Sequence, residues 1–174
     1  MSVVVEQLCV RSMVEVGVLD GALSTAILAN CPQIKDYYLV DPWQPFTASD
    51  HPQEVWDKRY ENVIAKMKLY EGKANILRLA SIEAAGLFEP ESLDLGFIDA
   101  NHSFPYVDED IRTWWSKIKP TGYLAGHDIG DQRWPGVLRA VEANFGKQYY
   151  CGKPTDNWGW VWIVSKKVHK KRER

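Results

Sequence analysis
The stretch FIDANHSFPYVDEDI, residues 97–111, holds four carboxylates and one histidine directly behind a short apolar run. Asp99 and His102 stand closest to that run. A second pair, His127–Asp128, ends the apolar segment TGYLAGHD. Carboxylates brought together from separate segments can share a divalent cation, and oxygen donors favour magnesium, calcium or manganese. A histidine among them admits manganese, iron or zinc. Asp99 and Asp128 are therefore candidate metal ligands, with His127 as a third. His102 is a candidate general base, and Asp99 is the alternative where no metal binds. The competing reading is structural: Asp128 caps a turn, His127 packs inside, and His102 lies on a surface turn.

A different chemistry attaches to EVGVLDGALS, residues 15–24. Gly17 and Gly21 bracket a loop that opens a helical pattern. Glycines permit a tight backbone approach, and a helix N-terminus offers free N–H groups to an anion. The loop lacks the middle glycine of GxGxxG, which lowers the case for a dinucleotide pyrophosphate. Asp41, in YYLVDPW, follows about 20 residues later, where an acid can accept both hydroxyls of a ribose. Glycine loop and acid together point to a nucleoside-containing cofactor.

These residues can cooperate only if the chain lines them up. Apolar strand patterns occur at 12–18, 36–41, 74–79, 92–99 and 121–128. Helical patterns fall between them, at 21–31, 52–70, 81–88 and 106–118, and a further one at 136–145. In the 52–70 segment Val55, Tyr60, Val63, Ile64 and Met67 make the inward stripe. Strands alternating with helices predict a parallel sheet covered on both faces. Two closing strands, KQYYCG and WGWVWIVSK, have only KPTDN between them, so they should pair antiparallel with the last strand reversed. Ligands of such sheets bind beyond the C-terminal strand ends. Those tips carry Glu15, Asp20, Asp41, Asp99, His102, His127 and Asp128.

With 174 residues the chain suits one domain, expected over 1–165, followed by a basic, flexible tail at 166–174. A net charge of -2 gives the whole molecule no strong pull toward nucleic acid or an acidic membrane. The three cysteines form no CxxC pair and read as buried free thiols of a reducing compartment. No apolar run approaches the ~18 residues of a membrane span, and the charged N-terminal segment makes a poor signal peptide. A cytoplasmic protein is expected. Eight tryptophans are many for this length. Trp43, Trp134 and Trp158 fall near the expected mouth, where an indole face suits the C–H face of a sugar.

Taken together, MVEVGVLDGALST, YYLVDPW, LDLGFIDANHSF, WWSKIKPTGYLAGHD and WPGVLRAVEANF resemble class I S-adenosylmethionine-dependent methyltransferases, from about Val14 to Val164. The nearest likeness is to the small-molecule and sugar O-methyltransferases of the macrocin type. The resemblance implies an α/β, Rossmann-like sheet of seven mostly parallel strands, the last antiparallel, with helices on both faces. It implies that Glu15, Gly17 and Gly21 hold the methionine end of S-adenosylmethionine, that Asp41 takes the ribose, and that Ser81 lies near the adenine, with Asp99 also beside the cofactor. It implies Mg2+ or Mn2+ on Asp99, His127 and Asp128. Ala80 stands where relatives often have an acid, and His127 stands where metal-dependent relatives have the first acid of a pair. The implied reaction is metal-assisted methylation of a hydroxyl on a small molecule, a sugar or glycosylated compound being favoured. The dozen residues before the first strand are few beside the longer N-terminal helices of many relatives, and a homodimer is one way to complete the site. The alternatives are a metal-independent methyltransferase of another small molecule or of nucleic acid, a nicotinamide-dependent oxidoreductase, or a scaffold that binds cofactor without catalysis. DANH replaces the Asn/Asp-Pro-Pro-aromatic signature of base methylases, which makes nucleic acid the weaker choice.

Overall fold
The computed structural model describes residues 1–46, 51–152 and 160–167. Trp158 and tail residues 168–174 lie outside that set. The described residues form seven strands: β1 (Ser12–Val16), β2 (Asp36–Val40), β3 (Ala74–Leu77), β4 (Leu93–Ile98), β5 (Ile118–Gly126), β6 (Tyr150–Gly152) and β7 (Val161–Ser165). They make one sheet in the order β3-β2-β1-β4-β5-β7-β6. The first five are parallel, and β7 runs antiparallel to both β5 and β6. The reversed last strand is the one the KPTDN connection predicts. β1 to β5 are crossed over by α2 (Ala22–Asn30), α3 (Gln53–Met67), α4 (Ser81–Ala85) and α5 (Phe104–Lys117), and α6 (Pro135–Phe145) follows β5.

The strands bury both faces, so their side chains divide by parity. Val14 and Val16 of β1 face one core with Ile111 and Trp114 of α5 and Val137 and Val141 of α6. Met13 faces the other, with Tyr37, Leu39 and Phe97 of the sheet and Ile27, Trp56 and Val63 of α2 and α3. Along α3 the structure buries Trp56, Val63 and Met67, while Val55, Tyr60 and Ile64 are half-buried. The expected stripe is thus right in direction, with Trp56 as its missed anchor.

Three details differ from the sequence reading. Residues 2–7 form a short helix, α1 (Ser2–Gln7), that buries Val5. At six residues it has too few turns to show a helical period. Cys31 is buried, but Cys9 and Cys151 are exposed. And Lys166, the expected first residue of a loose tail, is buried. Its ammonium donates to the carbonyls of Ile118 (2.6 Å) and Trp115 (3.0 Å), satisfying the C-terminal end of α5.

Candidate active site
The C-terminal strand ends build one rim. Gly17 follows β1 with φ +90°, and a Cβ there would stand 2.1 Å from the Asp99 carbonyl oxygen. Only glycine lets the β1 loop lie against the β4 tip. Gly17 N–H donates to Val40 (2.9 Å) and Asp99 N–H to Val16 (2.8 Å), which ties the ends of β1, β2 and β4 together. Gly21, at φ +69°, caps α2. Asp41, just past β2, accepts three backbone N–H groups: Val18 (2.9 Å) and Leu19 (3.0 Å) on Oδ2, and Trp43 (2.7 Å) on Oδ1. Below the loop, Glu15 is buried in β1 and accepts the Tyr37 hydroxyl at 2.8 Å. Burial pushes its carboxyl up to about 8, against the opposing hydrogen bonds, so it carries its proton at neutral pH.

Beyond β4 and β5 lies the second half of the rim. His102 Nε2 is 2.8 Å from Asp128 Oδ2 and 3.3 Å from Asp99 Oδ1. Asp128 reaches this position with φ +58°, a left-handed conformation that persists where surrounding contacts impose it. Its other oxygen lies 3.0 Å from His127 Nδ1. Asn101 Oδ1 accepts the Ser103 N–H at 2.9 Å and shapes the turn between Asp99 and α5. The His102 ring stacks on the Trp134 indole, centroids 4.8 Å apart and planes 26° apart. Burial would lower the His102 pKa; the Asp99 and Asp128 carboxylates overrule it and raise it.

Donor geometry here fits a cation. Asp99, His102 and Asp128 each offer one ligand atom within 4.8 Å of the others. Neighbouring ligands of an octahedral ion with ~2.1 Å bonds stand about 3 Å apart, which matches both His102 distances. Nε2 is buried, and neither carboxylate is aligned to accept its N–H. The sequence reading paired Asp99 and Asp128 with His127. The structure instead groups them with His102, because the 101–103 turn folds the imidazole back between the two acids.

Two other sequence candidates are otherwise engaged. The Ser81 hydroxyl points inward: it donates to the Asp110 carboxylate and accepts the Trp114 indole N–H (2.9 Å). Trp43 is fully buried and offers no face to a ligand. By contrast, Trp134 keeps 40% of its surface exposed beside His102. The sequence reading passed over Asp110, which sits in the buried stripe of Val107, Ile111 and Trp114 on α5; an acid on an apolar stripe was the available signal. It also passed over Arg78, whose guanidinium pairs with Asp57 and lies 4.6 Å over the Tyr60 ring. Arg78 and Asp57 wall a hollow of about 430 Å³ at the β2 and β3 tips, with Pro42, Gln44, Gln53 and Ala80.

A seven-stranded sheet with reversed β7, a glycine loop after β1 and acids after β2, β4 and β5 is the plan of a class I S-adenosylmethionine-dependent methyltransferase. The family model described as "Methyltransferase domain" matches residues 14–129, and the chain belongs to that family. An uncharacterized protein of Sinorhizobium fredii is 29% identical over 129 residues, which cover 70% of this chain and 14% of that protein. Among solved structures, an O-methyltransferase of Bacillus cereus in complex with SAH aligns at TM-score 0.66 and 15% identity, over 95% of this chain and 78% of that one. Spermidine synthase of Thermotoga maritima aligns at TM-score 0.64 and 15% identity, over 93% of this chain and 57% of that one. At such identities the structural likeness establishes the fold. No helix among the described residues is long and apolar enough to cross a membrane.

Proposed function
We propose that this chain transfers the methyl group of S-adenosylmethionine to a hydroxyl of a small molecule, and that Asp99, His102 and Asp128 are the residues that handle the acceptor. The observation carrying this reading is the His102 Nε2 held between two carboxylates at the rim, next to the glycine loop of a methyltransferase fold.

Methyl transfer is an in-line displacement at a sulfonium, and much of the gain comes from aligning oxygen, carbon and sulfur. The glycine loop holds the methionine end, and the hollow at the β2 and β3 tips takes the adenosine. The acceptor lies over β4 and β5. Asp99, His102 and Asp128 would hold a divalent cation there, whose chemistry is to lower the hydroxyl pKa and fix its oxygen. Two carboxylates and one imidazole suit Mn2+ better than Mg2+, which takes nitrogen reluctantly. The second reading is metal-independent and rests on the 2.8 Å His102–Asp128 contact. In it, His102 takes the hydroxyl proton and Asp128, beside Nε2, stabilises the imidazolium. The exposed Trp134 face favours a sugar or glycosylated acceptor.

Calorimetric titration with S-adenosylhomocysteine tests the cofactor. Binding in the micromolar range is expected, and no binding at millimolar ligand overturns the reading. Release of S-adenosylhomocysteine across a panel of glycosides and phenols, with and without EDTA, tests the rest. Loss of turnover in EDTA, restored by Mn2+, favours the cation; unchanged turnover assigns the proton to His102.

A further inference from the structure
The geometry points to a second role for the β2 tip: Asp41 and Trp43 form a lock that fixes the shape of the glycine loop, so that Trp43 governs cofactor affinity without touching the cofactor. The affinity part of this inference rests on the methyltransferase reading; the lock itself does not.

The loop needs holding. Leu19 has φ +53° and Trp43 has φ +43°. Left-handed backbone disfavours residues with a Cβ, and it persists only where neighbouring contacts impose it. Here the two strained residues face each other. Asp41 accepts the N–H groups of Val18, Leu19 and Trp43, which occupy three of about four acceptor sites on its carboxylate. Trp43 closes the ring: its indole N–H donates to the Leu19 carbonyl at 2.9 Å.

Trp43 also ties the lock to its surroundings. Its carbonyl accepts Gln53 (2.9 Å) from α3 and Arg78 (3.3 Å) from the β3 tip. Its ring packs 5.0 Å from Tyr60. One fully buried residue thereby joins, through its indole and its backbone carbonyl, the β1 loop, the β2 tip, α3 and the wall of the adenosine hollow. An acid expected to hold ribose spends most of its capacity on protein N–H groups, so at most one ribose hydroxyl can reach it.

Trp43→Phe keeps an aromatic ring in the slot and deletes the indole N–H. Amide exchange at Val18 and Leu19 in the ligand-free protein reads the lock directly. Faster exchange in W43F is expected, and exchange unchanged from wild type overturns the lock. The Kd for S-adenosylhomocysteine should rise about five- to tenfold, the worth of one hydrogen bond, with the maximal rate at saturating cofactor within twofold. Asn tolerates left-handed φ better than Leu. L19N added to W43F should therefore recover part of the affinity, and no recovery overturns strain as the link. If the wild-type protein fails to bind S-adenosylhomocysteine, the functional reading falls, while the exchange experiment still decides the lock.

Discussion
Strand β4 carries an aspartate near each end, and the two live in opposite surroundings. Asp94, near the start, accepts the N–H groups of Arg11 (3.0 Å) and Ser12 (2.9 Å) and pairs with the Lys119 ammonium at 2.8 Å. Burial would raise its pKa, but Lys119 and the two N–H groups outweigh that and hold the carboxyl below its ordinary range. Asp99, just past the end, pairs with His102 and lies in the same cluster as a second acid, Asp128. One carboxylate is fully compensated and serves to join β1, β4 and β5. The other is left in a negative cluster whose compensation is an imidazole. Two acids gathered at one rim with only imidazoles to offset them are a cost that folding alone gives no reason to keep, and they mark the end of the sheet where chemistry belongs.

The largest expected effect tests that contrast. Asp128→Asn should lower methyl transfer by 10²- to 10⁴-fold, the usual range for acid–base or ligand groups. Asn accepts a left-handed φ, so the backbone at φ +58° is retained. Removing one of two like charges should leave the melting temperature equal or raise it. Turnover measured as S-adenosylhomocysteine release, beside a thermal melt, checks both halves. A melting temperature several degrees lower would move Asp128 into the structural class with Asp94.

A third carboxylate sits between these extremes. Asp110 is buried under α4 with Ser81 as its donor, and burial pushes it up to about 6 from 3.8. The folded protein keeps this proton where the unfolded chain has lost it. The associated stability is present in full below pH ~3.8 and is lost as pH rises through about 6. Two pKa units correspond to roughly 3 kcal/mol as an upper bound. Chemical denaturation of wild type and Asp110→Asn at pH 4, 5, 6 and 7 should show the wild-type advantage shrinking over that window. A constant difference across the series would assign the proton elsewhere.

Much of this was legible in the sequence, for identifiable reasons. Parallel strands are buried on both faces, so SMVEV and LDLGFI read as apolar runs whatever packs on them. KPTDN is too short for a crossover, which fixed the reversed β7. Gly17 was legible because a residue type reports its backbone. Side-chain direction was not. Ser81 and Asp41 fall where the resemblance expects cofactor contacts and Trp43 near the expected mouth, yet Ser81 and Asp41 are bonded to protein groups and Trp43 is fully buried. The choice between His102 and His127 turned on one Asx turn at Asn101. Spacing along the chain cannot encode which of two histidines a turn folds back. Lys166 shows the same limit: nothing in its basic surroundings marks in advance an ammonium that finds two carbonyls.

The smallest effect comes from the compensating side. Lys119→Gln removes the cation from Asp94 and leaves both backbone N–H groups in place. The pair is partly exposed, with 39% of the lysine side chain and 27% of the aspartate side chain accessible. Solvent therefore screens it, and its loss should cost about 1 kcal/mol or less. The sign follows from the depressed Asp94 pKa. The stability that Lys119 lends is present above the ordinary carboxylate range and is lost as pH falls through the lowered value. Denaturant melts at pH 7 and pH 3 should thus show a small deficit that shrinks on acidification. A deficit of several kcal/mol at pH 7 would mean that Asp94 depends on its cation as a buried pair does, and that the two ends of β4 differ in which partner they have rather than in whether they need one.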